Sequence, residues 1–144
     1  MKSTVFENFD KLYDVSKKPL RVITLEHHVY KVAERLAAED TPYIGGYWKS
    51  VVLGNGFVFE LQTDKKFHVV NENNFADEMT TAKVFSVAVF LIALSEYSIH
   101  LTYKHPSESD LVDAICFLHA EIHCYIEQYL LTDEEKSSLA NIID

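Results

Sequence analysis

The stretch Cys116-Phe117-Leu118-His119-Ala120-Glu121-Ile122-His123-Cys124-Tyr125-Ile126-Glu127 gathers metal-ligating and acid–base side chains in one place. On an α-helix, Cys116, His119, His123 and Glu127 fall within ~80° of one another. Two imidazoles four residues apart can grip one metal ion, as helical zinc sites do. That opens a reading as a metal-dependent enzyme, with Cys116 or Glu127 as a further ligand. The spacing departs from the hydrolytic pattern, however, which sets a glutamate directly after the first histidine. Here that position is Ala120, and Glu121 points elsewhere. The helix's apolar stripe is Leu111, Ile115, Leu118, Ile122, Ile126 and Tyr129, so the histidine face lies at its border. Histidines at such borders are more commonly satisfied by backbone or carboxylates than by metal. The expectation is therefore no cofactor, with Cys116, His119, His123 and Glu127 as the alternative ligand set.

Other constellations are weaker. Adjacent His27 and His28 diverge by ~100° on a helix and cannot easily share an ion. Gly54-x-Gly56 lacks the later glycine and the following helix of a phosphate-cradling loop. No G-x-S-x-G or C-x-x-C occurs. Cys116 and Cys124 would lie about 12 Å apart along one helix, too far for a disulfide. Reduced thiols and a cytoplasmic setting are expected.

Net charge is −9, from 22 acidic and 13 basic residues, which disfavours affinity built on phosphate contacts. DNA mimicry would need a dense rail of charge, one per ~1.7 Å of axis. The acids are instead dispersed in small groups along the chain, as on a solvated acidic surface. With 144 residues, 48% of them apolar, and no low-complexity tract, one soluble globular domain over residues 1–144 is expected. The amino-terminal segment shows no apolar leader core, and the apolar run Val84 to Leu94, broken by Ser86, is too short to span a membrane.

These side chains must be positioned by an α+β arrangement. A short helix is possible around Phe6 to Tyr13. Thr24 can cap a second helix whose stripe is Leu25, Val29, Val32, Ala33, Leu36 and Ala37. The stretch "YIGGYWKSVVLGNGF" (43–57) then holds all four glycines and the one tryptophan. Gly54-Asn55 or Asn55-Gly56 makes a two-residue hairpin turn, and either register puts Trp48, Ser50 and Val52 on one face with Phe57, Phe59 and Leu61. The opposite, wet face sets Lys49 across from Glu60. Phe67 to Asn71 is expected as a third antiparallel strand after the "TDKK" turn. Thr80 or Thr81 caps a central buried helix through Tyr97. Ser107 or Ser109 caps another to about Leu130, and Thr132-Asp133-Glu134-Glu135 is a capping box. The order α-β-β-β-α-α-α describes a small three-stranded antiparallel sheet covered by helices.

The hairpin residues Gly45, Gly46, Tyr47, Trp48, Leu53, Asn55, Gly56 and Phe57 resemble the signature of the antirestriction family of the ArdB/KlcA type, carried by plasmids and prophages. The close in Ile142, Ile143 and Asp144 and the alanine-bearing helix ending "ALSEYS" are also similar, so the resemblance spans Tyr43 to Asp144. Lys49-Ser50-Val51, Gly54 and Val58 depart from the family pattern, as do residues 1–40, marking a divergent member. The resemblance implies a non-enzymatic inhibitor of type I restriction-modification that protects incoming mobile DNA. It implies no catalytic residues and no DNA mimicry. The hairpin edge is the expected contact surface for the restriction machinery or an associated host protein. Tyr47, Lys49, Gly45, Gly46 and Glu60 are the candidate contacts, and Trp48, Asn55, Gly56 and Phe57 the framework. A mobile-element module binding another host factor is the remaining alternative.

Overall fold

The computed structural model describes Phe6 and residues 8–144. Met1–Val5 and Glu7, on which part of the leader and first-helix expectations fall, lie outside the described residues. The chain runs α1 (Asp10–Val15), α2 (Pro19–Leu36), β1 (Trp48–Leu53), β2 (Gly56–Leu61), β3 (Phe67–Asn71), β4 (Ala76–Thr80), α3 (Ala82–Lys104), α4 (Ser109–Tyr125) and α5 (Asp133–Ile143). Short 3-10 turns over Pro106–Glu108 and Ile126–Tyr129 flank α4. The fold is α+β, but its strands form two separate two-stranded ribbons, β1-β2 and β3-β4. The three-stranded sheet expected from the sequence is therefore replaced, and the element order gains a helix and a strand.

The reason lies on α3. In β2 the backbone N–H of Leu61 faces away from β1 and donates to the Ser86 hydroxyl at 2.9 Å. That hydroxyl in turn donates to the Ala82 carbonyl at 2.7 Å. A helix thus occupies the sheet edge where a third strand would dock. The serine that breaks the apolar run is the plug for a strand edge. Ser86→Ala is expected to leave the Leu61 N–H buried without an acceptor and to cost about 1–2 kcal/mol. The shift of a denaturant midpoint at unchanged slope checks this.

β3 pairs instead with β4, in the register Phe67↔Thr80 through Asn71↔Ala76. Its other edge meets the end of α2 through a bridge between Ala37 and Val69 and a bond from the Ala38 N–H to the His68 carbonyl at 2.8 Å. His68 also sits between two carboxylates, with Nδ1 3.1 Å from Asp40 and Nε2 against Asp77. The hydrogen bonds to Asp77 and then Asp40 push its pKa up.

α3 is the element on which the rest is built. It is long and apolar enough to cross a membrane by length and composition, yet most of it is buried among the other elements. Its start is the expected Thr81, whose hydroxyl accepts from the Val84 N–H. α2 begins earlier than expected, with Pro19 in the first turn, where a missing N–H is harmless. Thr24 lies inside that helix and donates to the Leu20 carbonyl. The expected stripe Leu25, Val29, Val32, Ala33 and Leu36 is buried. α4 takes no cap from Ser107 or Ser109. It follows the 3-10 turn and stops at Tyr125, short of Leu130. The capping box at Thr132 and Glu135 is complete.

Candidate contact surface

The ribbon β1-β2 is closed by Gly54 and Asn55, with Leu53 opposite Gly56. Trp48↔Leu61, Ser50↔Phe59 and Val52↔Phe57 are paired on one face, and Lys49↔Glu60 on the other. Trp48 is 7% exposed, stacked on Phe59 with ring centroids 5.4 Å apart, and its indole N–H donates to the Tyr43 hydroxyl at 2.8 Å. Phe9 of the amino-terminal segment meets Phe57 and Phe59 edge-on at 5.1 and 5.2 Å, and Phe90 of α3 tilts against Phe57 at 5.3 Å. The first forty residues thus help to wall the hairpin.

The second face is not wet throughout, contrary to expectation. Leu53 and Val58 are buried there. Glu60 is half-buried and accepts a hydrogen bond from the Tyr129 hydroxyl. Burial and the adjoining Glu60 carboxylate push the Tyr129 pKa up, so the phenol stays a donor. The cause is α4 and the turn after it, which lie across this face and which strand alternation cannot show. The turn itself is docked too. The Gly54 N–H reaches the Gln128 carboxamide at 3.2 Å, and the Asn55 N–H reaches the Glu121 carboxylate at 3.0 Å. The Asn55 carbonyl accepts from the Phe6 N–H at 2.7 Å. Gly54 has φ +59, and a β-carbon there would fall 2.3 Å from Cδ2 of Tyr125.

Of the predicted contact residues, Tyr47 is 70% exposed and Lys49, Gly45 and Gly46 are exposed. Ile44, which the sequence reading omitted, is exposed as well. Gly45 takes φ +99, which a side chain rarely tolerates, with nothing within 4 Å of its missing β-carbon. The pair of glycines therefore shapes a bend that presents Ile44 and Tyr47 outward while Tyr43 and Trp48 turn inward. A cleft of about 220 Å³ lies beside it, lined by Ile44, Gly46, Leu61 and Lys65 among others. Asn55, Gly56, Phe57 and Trp48 serve the framework, and Glu60 is engaged from inside.

The histidine helix has a different fate. His119 and His123 are ring neighbours, with centroids 4.8 Å apart, and line a mixed cleft of about 500 Å³ with Asn73, Asn74, Leu91, Glu96 and Asp144 among others. Burial, and then the neighbouring His123, hold the His119 pKa down. Cys116 and Cys124 are exposed free thiols. Glu127 accepts from Lys136 at 2.6 Å. Among the described residues no three His, Cys, Asp or Glu side chains are placed to hold one metal ion. The two imidazoles are a bidentate grip without the remaining ligands of a structural or catalytic site.

No family model matches the chain. YfjX, an uncharacterized protein of Escherichia coli (strain K12), is 30% identical over 125 residues, covering 85% of this chain and 72% of that protein. The solved structures of the KlcA and ArdB proteins superpose with a TM-score of 0.69 at 18% identity, covering 94% of this chain and 87% of the other. KlcA and ArdB are reported to show a novel fold and antirestriction activity against Type I DNA restriction systems in vivo but not in vitro. With YfjX as a relative, the fold shared over nearly its whole length and the Gly-Gly-Tyr-Trp hairpin at its centre, the chain belongs to the ArdB/KlcA-type family as a divergent member.

Proposed function

We propose that this chain is a non-enzymatic antirestriction protein that inhibits type I restriction-modification and protects incoming plasmid or prophage DNA in the cytoplasm. The fold it shares with KlcA and ArdB over 94% of its length carries the reading. Its partner is the restriction machinery or a host protein associated with it. The mode is protein contact and not DNA mimicry, because many acids are committed within the molecule. Glu96 pairs with Arg35 and His28, Glu108 is buried, and Glu135 closes a capping box. Carboxylates engaged in this way cannot form the closely spaced rail that duplex phosphates present. The bend Ile44–Tyr47 with Lys49 is the contact surface.

The test is made in cells, where KlcA and ArdB act. The protein is expressed in a strain with an active type I system and challenged with unmodified phage. The expected result is a raised plating efficiency, diminished about tenfold or more by Tyr47→Ala at unchanged protein level, since exposed aromatics at interface centres carry much of the binding energy. Unchanged restriction by the wild type across several such systems would reject the reading.

A further inference from the structure

The ribbon β3-β4 turns through Glu72, Asn73, Asn74 and Phe75, between paired Asn71 and Ala76. Its last turn position requires a left-handed backbone, and the residue that takes it is Phe75, at φ +62. Asparagine tolerates that conformation; a bulky aromatic there is an outlier that costs stability. Asparagines stand at 73 and 74, two and one positions too early. Phe75 gains nothing from the fold in return, since its side chain is 91% exposed. Leu130, the other described non-glycine residue with positive φ, has an evident cause: it reverses the chain between buried Tyr129 and Leu131.

The tip is also held rigid. The Asn71 and Asn74 side-chain amides donate to the Ile142 carbonyl at 2.8 and 2.9 Å, satisfying the end of α5. The Ala76 N–H returns to the Asn74 side chain at 3.1 Å, and Asn141 donates to Glu78 at 2.6 Å. Of the two described non-glycine residues that break this local rule, both of them exposed, Phe75 is the one carried on a braced hairpin tip, and such departures collect at functional sites.

We propose that Phe75 is a recognition knob that inserts into an apolar pocket, rimmed by lysine and arginine, on a protein partner. The rim follows from charge. Glu72 stands in the turn itself and from Phe67 to Thr81 the chain has no lysine or arginine, while Asp77 and Glu78 beside it are engaged by His68 and Asn141. The tip leans on the electronegative end of α5, beside Asp144. A machine that handles DNA must present basic surface to phosphates, so the inference rests on the antirestriction reading and assigns it a further contact.

The experiment sets wild type, Phe75→Gly, Phe75→Tyr and Glu72→Lys side by side in the plating assay, with thermal melting and light scattering of each purified protein. Phe75→Gly is expected to raise Tm by about 3 °C, because glycine bears the backbone conformation freely, while protection falls about tenfold or more. Phe75→Tyr retains most of the protection, and Glu72→Lys weakens it through the rim. Full protection by Phe75→Gly, or a lowered Tm for that variant, overturns the proposal while leaving the antirestriction reading intact. Unchanged protection by Glu72→Lys overturns the cationic rim. Self-association of the wild type that Phe75→Gly abolishes would assign the tip to a second copy, against the proposal. Absence of protection by the wild type overturns both readings together.

Discussion

Glu108→Ala is expected to lower the stability of the fold by about 1.5–3 kcal/mol, the range for losing hydrogen bonds to a charged group. The carboxylate is 2% exposed and lies ninety residues downstream of the groups it serves. It accepts the Lys17 N–H at 2.6 Å and the Ser16 hydroxyl at 2.8 Å. Those groups lead into α2, whose own cap residue, Lys18, offers no side-chain acceptor. Glu108 thus sets, from a segment remote in sequence, a carboxylate beside the amino-terminal end of α2, where the helix favours an anion. Removing it takes the acceptor from the Lys17 N–H and leaves the Ser16 hydroxyl with only the Lys18 carbonyl. It also removes the carboxylate favoured by Arg21, whose Nε is buried without a partner among the described residues.

The pH dependence has a definite sign. Burial works to raise the Glu108 pKa, but the Lys17 N–H, the Ser16 hydroxyl, the Lys18 N–H and the Arg21 charge together hold it below its ordinary 4.5. A carboxylate depressed in the folded state contributes stability that is fully present above the ordinary value. The contribution disappears as pH falls through the folded value. Denaturant melts of the wild type should therefore weaken below about pH 4.5, and those of Glu108→Gln should weaken less steeply over the same range. Parallel acid limbs for the two proteins would contradict the assignment.

Gly54→Ala is expected to cost about 3 kcal/mol, well beyond an ordinary glycine-to-alanine exchange on the surface. Two causes add. Positive φ at +59 penalises any β-carbon. The new carbon would also fall 2.3 and 2.6 Å from Cδ2 and Cγ of Tyr125, near the root of the ring. Clearing them takes a χ1 rotation that lifts the Tyr125 ring off the turn, or a shift of the last turn of α4. Gly45→Ala makes the contrast. Its backbone is also left-handed, but the space is open, so only the conformational penalty of about 1 kcal/mol remains. Tyr125→Ala combined with Gly54→Ala should recover part of the loss, since the collision is then gone. Equal costs at Gly54 and Gly45 would show that the close approach does not matter.

The hairpin was legible because independent signals agreed on it. The Gly54-Asn55 turn, the alternation of Trp48 with Phe57, Phe59 and Leu61, and the Lys49↔Glu60 pair all demanded one parity. The α2 stripe and the Thr132 box were equally readable, since local periodicity and capping chemistry determine both. The second ribbon was not. Ala76-Asp77-Glu78-Met79-Thr80 has neither β-branched density nor apolar alternation, and only pairing with β3 makes it a strand. Ser86 interrupted the apolar run visibly, yet its partner, the edge of β2, is a tertiary fact. The start of α2 is marked only by Pro19, because its N-cap, Lys18, makes no side-chain cap bond that would stand out in the sequence. At the proposed contact surface, Tyr47 and the glycines could be read from the motif. Phe75 could not, since the left-handed position of a turn is set only once its register is known.

The two ribbons share no ladder hydrogen bond; β1-β2 leans mainly on α3 and β3-β4 mainly on α5, and Gln62–Lys66 links them. Gln62 extends the first ribbon by one bond, its N–H donating to the Tyr47 carbonyl at 2.9 Å. Thr63–Lys66 are exposed and pair with no strand, so a change of length there is expected to disturb neither ribbon's register. Insertions between Gln62 and Lys66 should accordingly be absorbed without loss of folding. The same decoupling lets sequences of this shape drift one hairpin at a time, as long as the helix between them keeps its serine.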